Sequence, residues 1–244
     1  MKRLVLSMAL MVAACGGTSA DSVTLLTHDS FAVSEEVLAS FTAETGITVE
    51  VLRAGDAGSV LNQAILTKDN PLADVVFGID NALLTRALDE GILATYRPER
   101  LADVPDELEA GTQGRATPID FGDVCINYDF DGLAAIDRVR PQSLDDLLAP
   151  EYRDLLVVQD PSTSSPGLAF LLATIDEYGP DGWQDYWRGL AANGVQVTSG
   201  WEEAYYGSFS RYGGDRPLVV SYASSPPAEV LFSEEPLDSA PTGV

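Results

Sequence analysis

The sequence is poor in histidine, cysteine and basic residues. It holds one histidine, two cysteines and 14 Lys and Arg against 38 Asp and Glu, for a formal net charge of -24. Each shortage excludes something. Two cysteines, Cys15 and Cys125, cannot build a disulfide framework. A lone histidine, His28, argues against a structural zinc site, and no cofactor is implied. So few basic residues argue against nucleic acid, whose phosphate backbone needs a Lys/Arg surface. The longest apolar run, Leu4 to Ala14 broken only by Ser7, falls short of the roughly 20 residues that a spanning helix needs. The acidic residues are spread along the chain and not gathered into tails. They read as a solvated surface, with a general bias toward cationic ligands.

The N-terminal run is informative in another way. Lys2 and Arg3 precede it and small residues end it, the pattern of a secretory signal. Val12-Ala13-Ala14-Cys15 resembles the lipobox of bacterial lipoproteins, in which the cysteine carries the lipid. Residues 1–15 are therefore expected to be a signal ending at a lipidated Cys15, and 16–22 a flexible tether. The plainer alternative is an ordinary signal peptide whose cleavage site includes a cysteine. Cys125, within Val124-Cys125-Ile126, reads as a small buried hydrophobe.

From Val23 onward, strand and helix patterns alternate. Val23 to Leu26 is a strand, and Val33, Val37, Leu38 and Phe41 lie on one face of a helix. Glu35 and Glu36 suit its first turn, Gly46 closes it, and Ile47 to Val51 alternates as a strand. Further elements are a helix over Leu61 to Leu66, a buried strand over Asp74 to Phe77 and a helix from Leu83 to Leu88 that stops at Gly91. Then come a strand from Val124 to Tyr128, one from Leu155 to Val158 and a helix from Leu168 to Ile175. Trp183, Trp187 and Leu190 form the inner stripe of another helix, and Leu218 to Val220 is a late strand. This is an α/β chain.

In open α/β sheets, ligands sit beyond the C-terminal ends of the strands. The loops there are rich in polar and aromatic side chains: His28, Asp29 and Ser30; Asp80 and Asn81; Ser162 to Gly167; and Tyr222 to Ser225. Ser162, Thr163, Ser164 and Ser165 precede a helix that starts near Pro166, so one serine caps it. The remaining hydroxyls and free N–H groups, with Gly167, suit an anion. Trp201, Tyr205 and Phe209 recur at four-residue spacing; Tyr205 and Phe209 read first as core. Trp201 and Tyr222 instead stand at strand ends, where two aromatics could hold a flat cationic ring.

Five segments carry a resemblance: Thr27–Ala32 (THDSFA), Gly78–Leu84 (GIDNALL), Gln159–Leu168 (QDPSTSSPGL), Gly200–Tyr205 (GWEEAY) and Ser221–Pro226 (SYASSP). In that order they are similar to the periplasmic thiamine-binding proteins of ABC importers. The resemblance implies a two-lobed type II periplasmic-binding fold with hinge strands. Lobe 1 would comprise 23–118 plus 223–244, incomplete at its C-terminal side because relatives continue past this point. Lobe 2 would be 119–222, with Pro118–Gly122 and Val219–Tyr222 crossing as the hinge.

The resemblance also implies a carrier and not an enzyme, with thiamine or its phosphates as ligand and a permease and ATPase as partners. Trp201 and Tyr222 would be aromatic walls, Asp80 would face the thiazolium with Asn81 beside it, and the Ser162–Gly167 loop would meet the hydroxyethyl or phosphate end. Asp29, Ser30, Tyr205 and Ser225 complete the implied site. His28 stands where the family commonly has Tyr. Two carriers of the same fold compete: ferric ion, through Tyr205, Tyr206 and His28, and polyamine, through the acidic charge. A hydrolase using Asp80, Asp120 or Asp123 is the reading from another class, but no nucleophile elbow appears.

Overall fold

The computed structural model describes residues 21–244. The expected signal, Cys15 and most of the tether lie outside the described residues.

The first sheet has the order β2-β1-β3, from β1 (Ser22–Thr27), β2 (Thr48–Arg53) and β3 (Val75–Val76), all parallel. Helix α1 (Glu35–Thr45) links the first two. Ser34 caps its start, and Gly46 ends it at φ 75°, a conformation that costs glycine little. Helix α2 (Ala57–Leu66) begins four residues before the expected start, because Asp56 caps it. Helix α3 (Asn81–Asp89) is capped by Asp80, whose Oδ1 accepts the Leu83 N–H at 2.8 Å. Ala57, Leu61, Leu83 and Ala87 form a small core, with Leu168 from the second unit packed against it.

Two expectations fail in this unit. No residue of α1 is buried, and Val37 is 57% exposed, because the helix packs mainly along β2. The strand expected to be buried over Asp74–Phe77 is two residues at a sheet edge. Its Val75 is 47% exposed because one face of that edge is open.

A short helix, α4 (Asp106–Glu109), leads toward the second sheet. That sheet has the order β6-β5-β7-β4-β8, from β4 (Val124–Asp129), β5 (Leu156–Gln159), β6 (Gln196–Thr198), β7 (Leu218–Tyr222) and β8 (Thr242–Gly243). Helices α5 (Phe130–Ala135), α6 (Ser165–Ala192) and α7 (Ser225–Leu231) complete the unit. Successive strand residues face opposite sides, so β5 and β7 feed two cores. Leu156, Val158, Leu218 and Val220 meet Phe170, Tyr186 and Leu190 on one face, while Val157 and Val219 meet Ala204, Tyr205 and Phe209 on the other.

Helix α6 is broken at Gly179 (φ 70°), immediately before Pro180. The break resets the helical phase, so Tyr186 is buried with Leu190 while Trp183 and Trp187 are only half-buried. Cys125 is likewise half-buried, at the margin of an open groove lined by its strand neighbours Val124, Ile126 and Tyr128. Of the two segments expected to cross as hinge strands, Val219–Tyr222 ends β7. Pro118–Gly122 takes no regular structure, having no strand partner among the described residues. Thr242 and Gly243, expected with the first lobe, instead pair with β4 of the second sheet.

Candidate functional site

The loops after β1 and β2 meet the loops after β5 and β6 across a cavity of about 300 Å³. Asp29, Ser30, Asp56, Ser59, Thr163, Ser199, Trp201, Glu202 and Glu203 are among its lining residues. On the first side, the β1 and β2 loops are tied together. Asp29 N–H donates to the Gly55 carbonyl at 2.9 Å, and Gly55 N–H donates to Asp29 Oδ1 at 3.1 Å. His28 Nδ1 bonds the Ser30 hydroxyl at 2.9 Å, and its ring packs beside Phe77 and Phe31. Gly78 allows this approach. Its φ is 106°, and a Cβ there would lie 2.6 Å from His28 Cδ2.

On the other side, Trp201 stands over the core face that carries Val219. Ser221, two residues along β7, points the same way, and the Trp201 indole N–H donates to its Oγ at 2.8 Å. Ser221 in turn meets the Ser225 hydroxyl at 2.9 Å. The indole stacks on Tyr205, with centroids 4.7 Å apart and planes at 17°. The helical turn here is a π-helix over Glu203–Ser208, in place of the α-helix that four-residue spacing suggested. Its wider turn keeps residues near that spacing superposed.

Tyr205 is buried at 2% exposure, and its hydroxyl donates to Glu229 Oε1 at 2.5 Å. It therefore supports Trp201 from beneath and does not line the cavity itself, correcting its place in the expected ligand set. The same bond engages the Tyr205 hydroxyl, so Tyr205 does not act as a free phenolate. Among the described residues, no group of three or more His, Cys, Asp or Glu is arranged to hold a metal.

The serine loop also differs from expectation. Asp160 Oδ1 accepts both the N–H and the hydroxyl of Ser162, and the Thr163 hydroxyl donates to the Ser199 carbonyl at 2.7 Å. Ser164 holds the N-cap position of α6, but its side chain caps nothing; the hydroxyls of Ser164 and Ser165 are buried without partners. The Asp160 carbonyl takes the N–H groups of Thr163 and Ser164 in the turn that leads into α6, where both serines are buried. Gly167 is required because a Cβ would collide with the Gln159 carbonyl.

Carboxylates dominate the electrostatics. Burial first, then Asp56, Asp80 and Asp120, push the Tyr222 phenol above its ordinary range. Burial holds the His28 imidazole below its ordinary value, opposed by Asp56, Asp120, Asp29 and Glu202. Hydrogen bonds from Ser199 lower the Glu203 carboxyl. The cavity lining contains no Lys or Arg. Asp80 caps α3 and contributes charge, and Asn81 is exposed at the start of that helix; neither lines the cavity.

Sequence reasoning missed Asp56 as a site residue. Its Oδ1 accepts the Ala57 N–H at 2.7 Å and its Oδ2 the Trp201 N–H at 2.8 Å, across the cavity. The available signal was an Asp before Ala-Gly-Ser-Val-Leu, a helix start with its apolar residues one turn later.

The model of the bacterial extracellular solute-binding protein family matches residues 70–230. The chain is 35% identical over 213 residues to the thiamine-binding periplasmic protein of Escherichia coli, covering 86% of this chain and 62% of that one. It is 31% identical over 242 residues to the thiamine-binding periplasmic protein of Haemophilus influenzae, covering 96% of this chain and 69% of that one. A solved periplasmic thiamin binding protein superposes with a TM-score of 0.74 at 31% identity, over 90% of this chain and 67% of that one. The chain thus spans about two thirds of the length of these relatives.

Proposed function

We infer a function from the premise that this chain belongs to the bacterial extracellular solute-binding proteins: it captures thiamine outside the cell membrane and presents it to an ABC importer. The observation that carries this reading is the cleft between the two sheets. Trp201 offers a π-face there beside Asp29, Asp56, Glu202 and Glu203, no basic side chain lines the cavity, and the charge of Asp56, Asp80 and Asp120 reaches the buried phenol of Tyr222. Thiamine joins a permanently cationic thiazolium to a flat aminopyrimidine, so it needs stacking surfaces and nearby negative charge. A neutral His28 is compatible with that cation. The named thiamine-binding relatives support the same ligand.

The remaining parts of the reading rest on the sequence. Cys15 carries the lipid that holds the chain at the membrane, and a permease and an ATPase receive the loaded form. The Ser162–Gly167 loop faces the hydroxyethyl or phosphate end of the ligand. Lobe 1 comprises 23–118 and at least part of 223–244, and lobe 2 comprises 119–222. Calorimetric titration tests the ligand: thiamine should bind with one site, while spermidine and ferric citrate should neither bind nor compete. Competition by either at comparable concentration would overturn the assignment.

A further inference from the structure

Besides the packing of Leu168 on the first core, hydrogen bonds join the two sides of the cleft along a short seam, which has the makings of a latch. Its first contact is Asp56. One carboxylate oxygen caps α2 while the other accepts the Trp201 N–H at 2.8 Å from the opposite side. Its second contact is the start of α2. The N–H groups of Gly58 and Ser59 donate to the Thr163 carbonyl at 2.9 and 3.3 Å. This contact is close enough to depend on glycine. A Cβ at Gly58 would lie 2.8 Å from the Thr163 carbonyl carbon and oxygen, and 2.9 Å from the Ser162 oxygen. Gly58 has an ordinary helical backbone, so nothing within α2 calls for glycine there, and alanine is the better helix former. Gly200 reproduces the feature across the seam, where a Cβ would lie 3.1 Å from Asp56 Cβ.

We propose that Asp56 and Gly58 form a closure latch, and that Asp56 is the positioning residue that fixes the Trp201 platform to the first side of the cleft. This rests on the thiamine reading only for the choice of probe. The physical reason is that an N–H bonded to a carboxylate is stronger than a neutral pair. The Thr163 carbonyl also fills the positive end of α2, so the Gly58 and Ser59 N–H groups gain a protein acceptor only when the two sides meet. The latch therefore acts on how long a ligand stays, and losing it raises the dissociation rate more than it lowers the association rate.

Two variants separate this role from simple stability. Asp56→Asn keeps a good helix cap but turns an NH2 group, or no acceptor, toward the Trp201 N–H. Gly58→Ala leaves every hydrogen-bonding group in place and wedges the seam open. Both should melt no more than slightly below the parent when free. Each should bind thiamine at least tenfold more weakly, with the loss in dissociation. Independently of any ligand, hydrogen exchange at Gly58, Ser59 and Trp201 should be slow in the parent. It should quicken at Trp201 in Asp56→Asn and at both segments in Gly58→Ala. If both variants keep parental exchange and parental affinity, the latch does not exist. If exchange responds as stated but the parent binds no thiamine, the ligand assignment falls and the latch stands.

Discussion

Replacing Trp201 by Leu separates a ligand platform from a core residue, and the structure makes the expected size of both effects calculable. The indole is half-buried, stacked on Tyr205 at 4.7 Å and hydrogen-bonded to Ser221 at 2.8 Å. Leucine keeps apolar volume and removes both interactions. The lost aromatic pair and hydrogen bond together cost about 1–3 kcal/mol of stability. Ser221 is not orphaned, since it retains Ser225. For a chain of this size each kcal/mol corresponds to roughly 2–4 °C in Tm. On the ligand side, a cation–π contact of about 0.5–2 kcal/mol and an aromatic pair of about 0.5–1.5 kcal/mol would be lost. That weakens thiamine binding by about one to two and a half decades. Trp201→Phe keeps a stacking ring without the N–H and should fall between leucine and the parent. Thermal melts paired with calorimetric titration read both quantities. Refutation is a folded Leu variant that binds thiamine as tightly as the parent: Trp201 would then be core alone.

Three further predictions follow from the cleft and from the leader. Replacing both Ser164 and Ser165 by Ala removes buried hydroxyls that have no partner, so Tm should not fall. Thiamine phosphate should be weakened more than thiamine, and equal losses for the two would show that the loop does not read the phosphate. Because burial lowers His28 from 6.5, the unfolded chain binds a proton below that pH before the folded chain does. Stability from this site is complete above pH 6.5 and declines as pH drops through the window. Affinity for cationic thiamine should decline over the same range, and His28→Gln should flatten both profiles; a parental pH profile in that variant would contradict this. Finally, Cys15→Ser should abolish lipidation and leave the protein uncleaved or released. A variant that fractionates like the parent, with no lipid found on Cys15 of the parent, would remove the anchor from the account.

The α/β alternation was legible because strand and helix periods are local. The positions of β1, α1, α3, β4, β5 and β7 all follow from apolar spacing and from stop signals such as Gly46 and Gly91. Burial was not legible to the same degree. The stripe of Val37 and Phe41 predicts a buried face, but whether another layer covers a stripe is decided by tertiary packing. Within the site, Trp201 was recognisable from its place after a strand, as was the serine loop from its hydroxyls. Their roles were not. The Asp160 carbonyl took two of the loop's N–H groups, those of Thr163 and Ser164, and Tyr205 turned toward Glu229, 24 residues away in sequence. Asp56 escaped notice because its partner, Trp201, is 145 residues distant. Contacts of that span leave no periodic trace.

The central claim is that the cleft carries thiamine unchanged. The most direct measurement is mass spectrometry of the small molecules released by denaturation from protein purified under native conditions, after incubation with thiamine and removal of the excess. The account predicts intact thiamine at about one molecule per chain, with no fragment or product accumulating over time. Absence of retained thiamine, its conversion to another species, or release of a polyamine in its place would contradict the account.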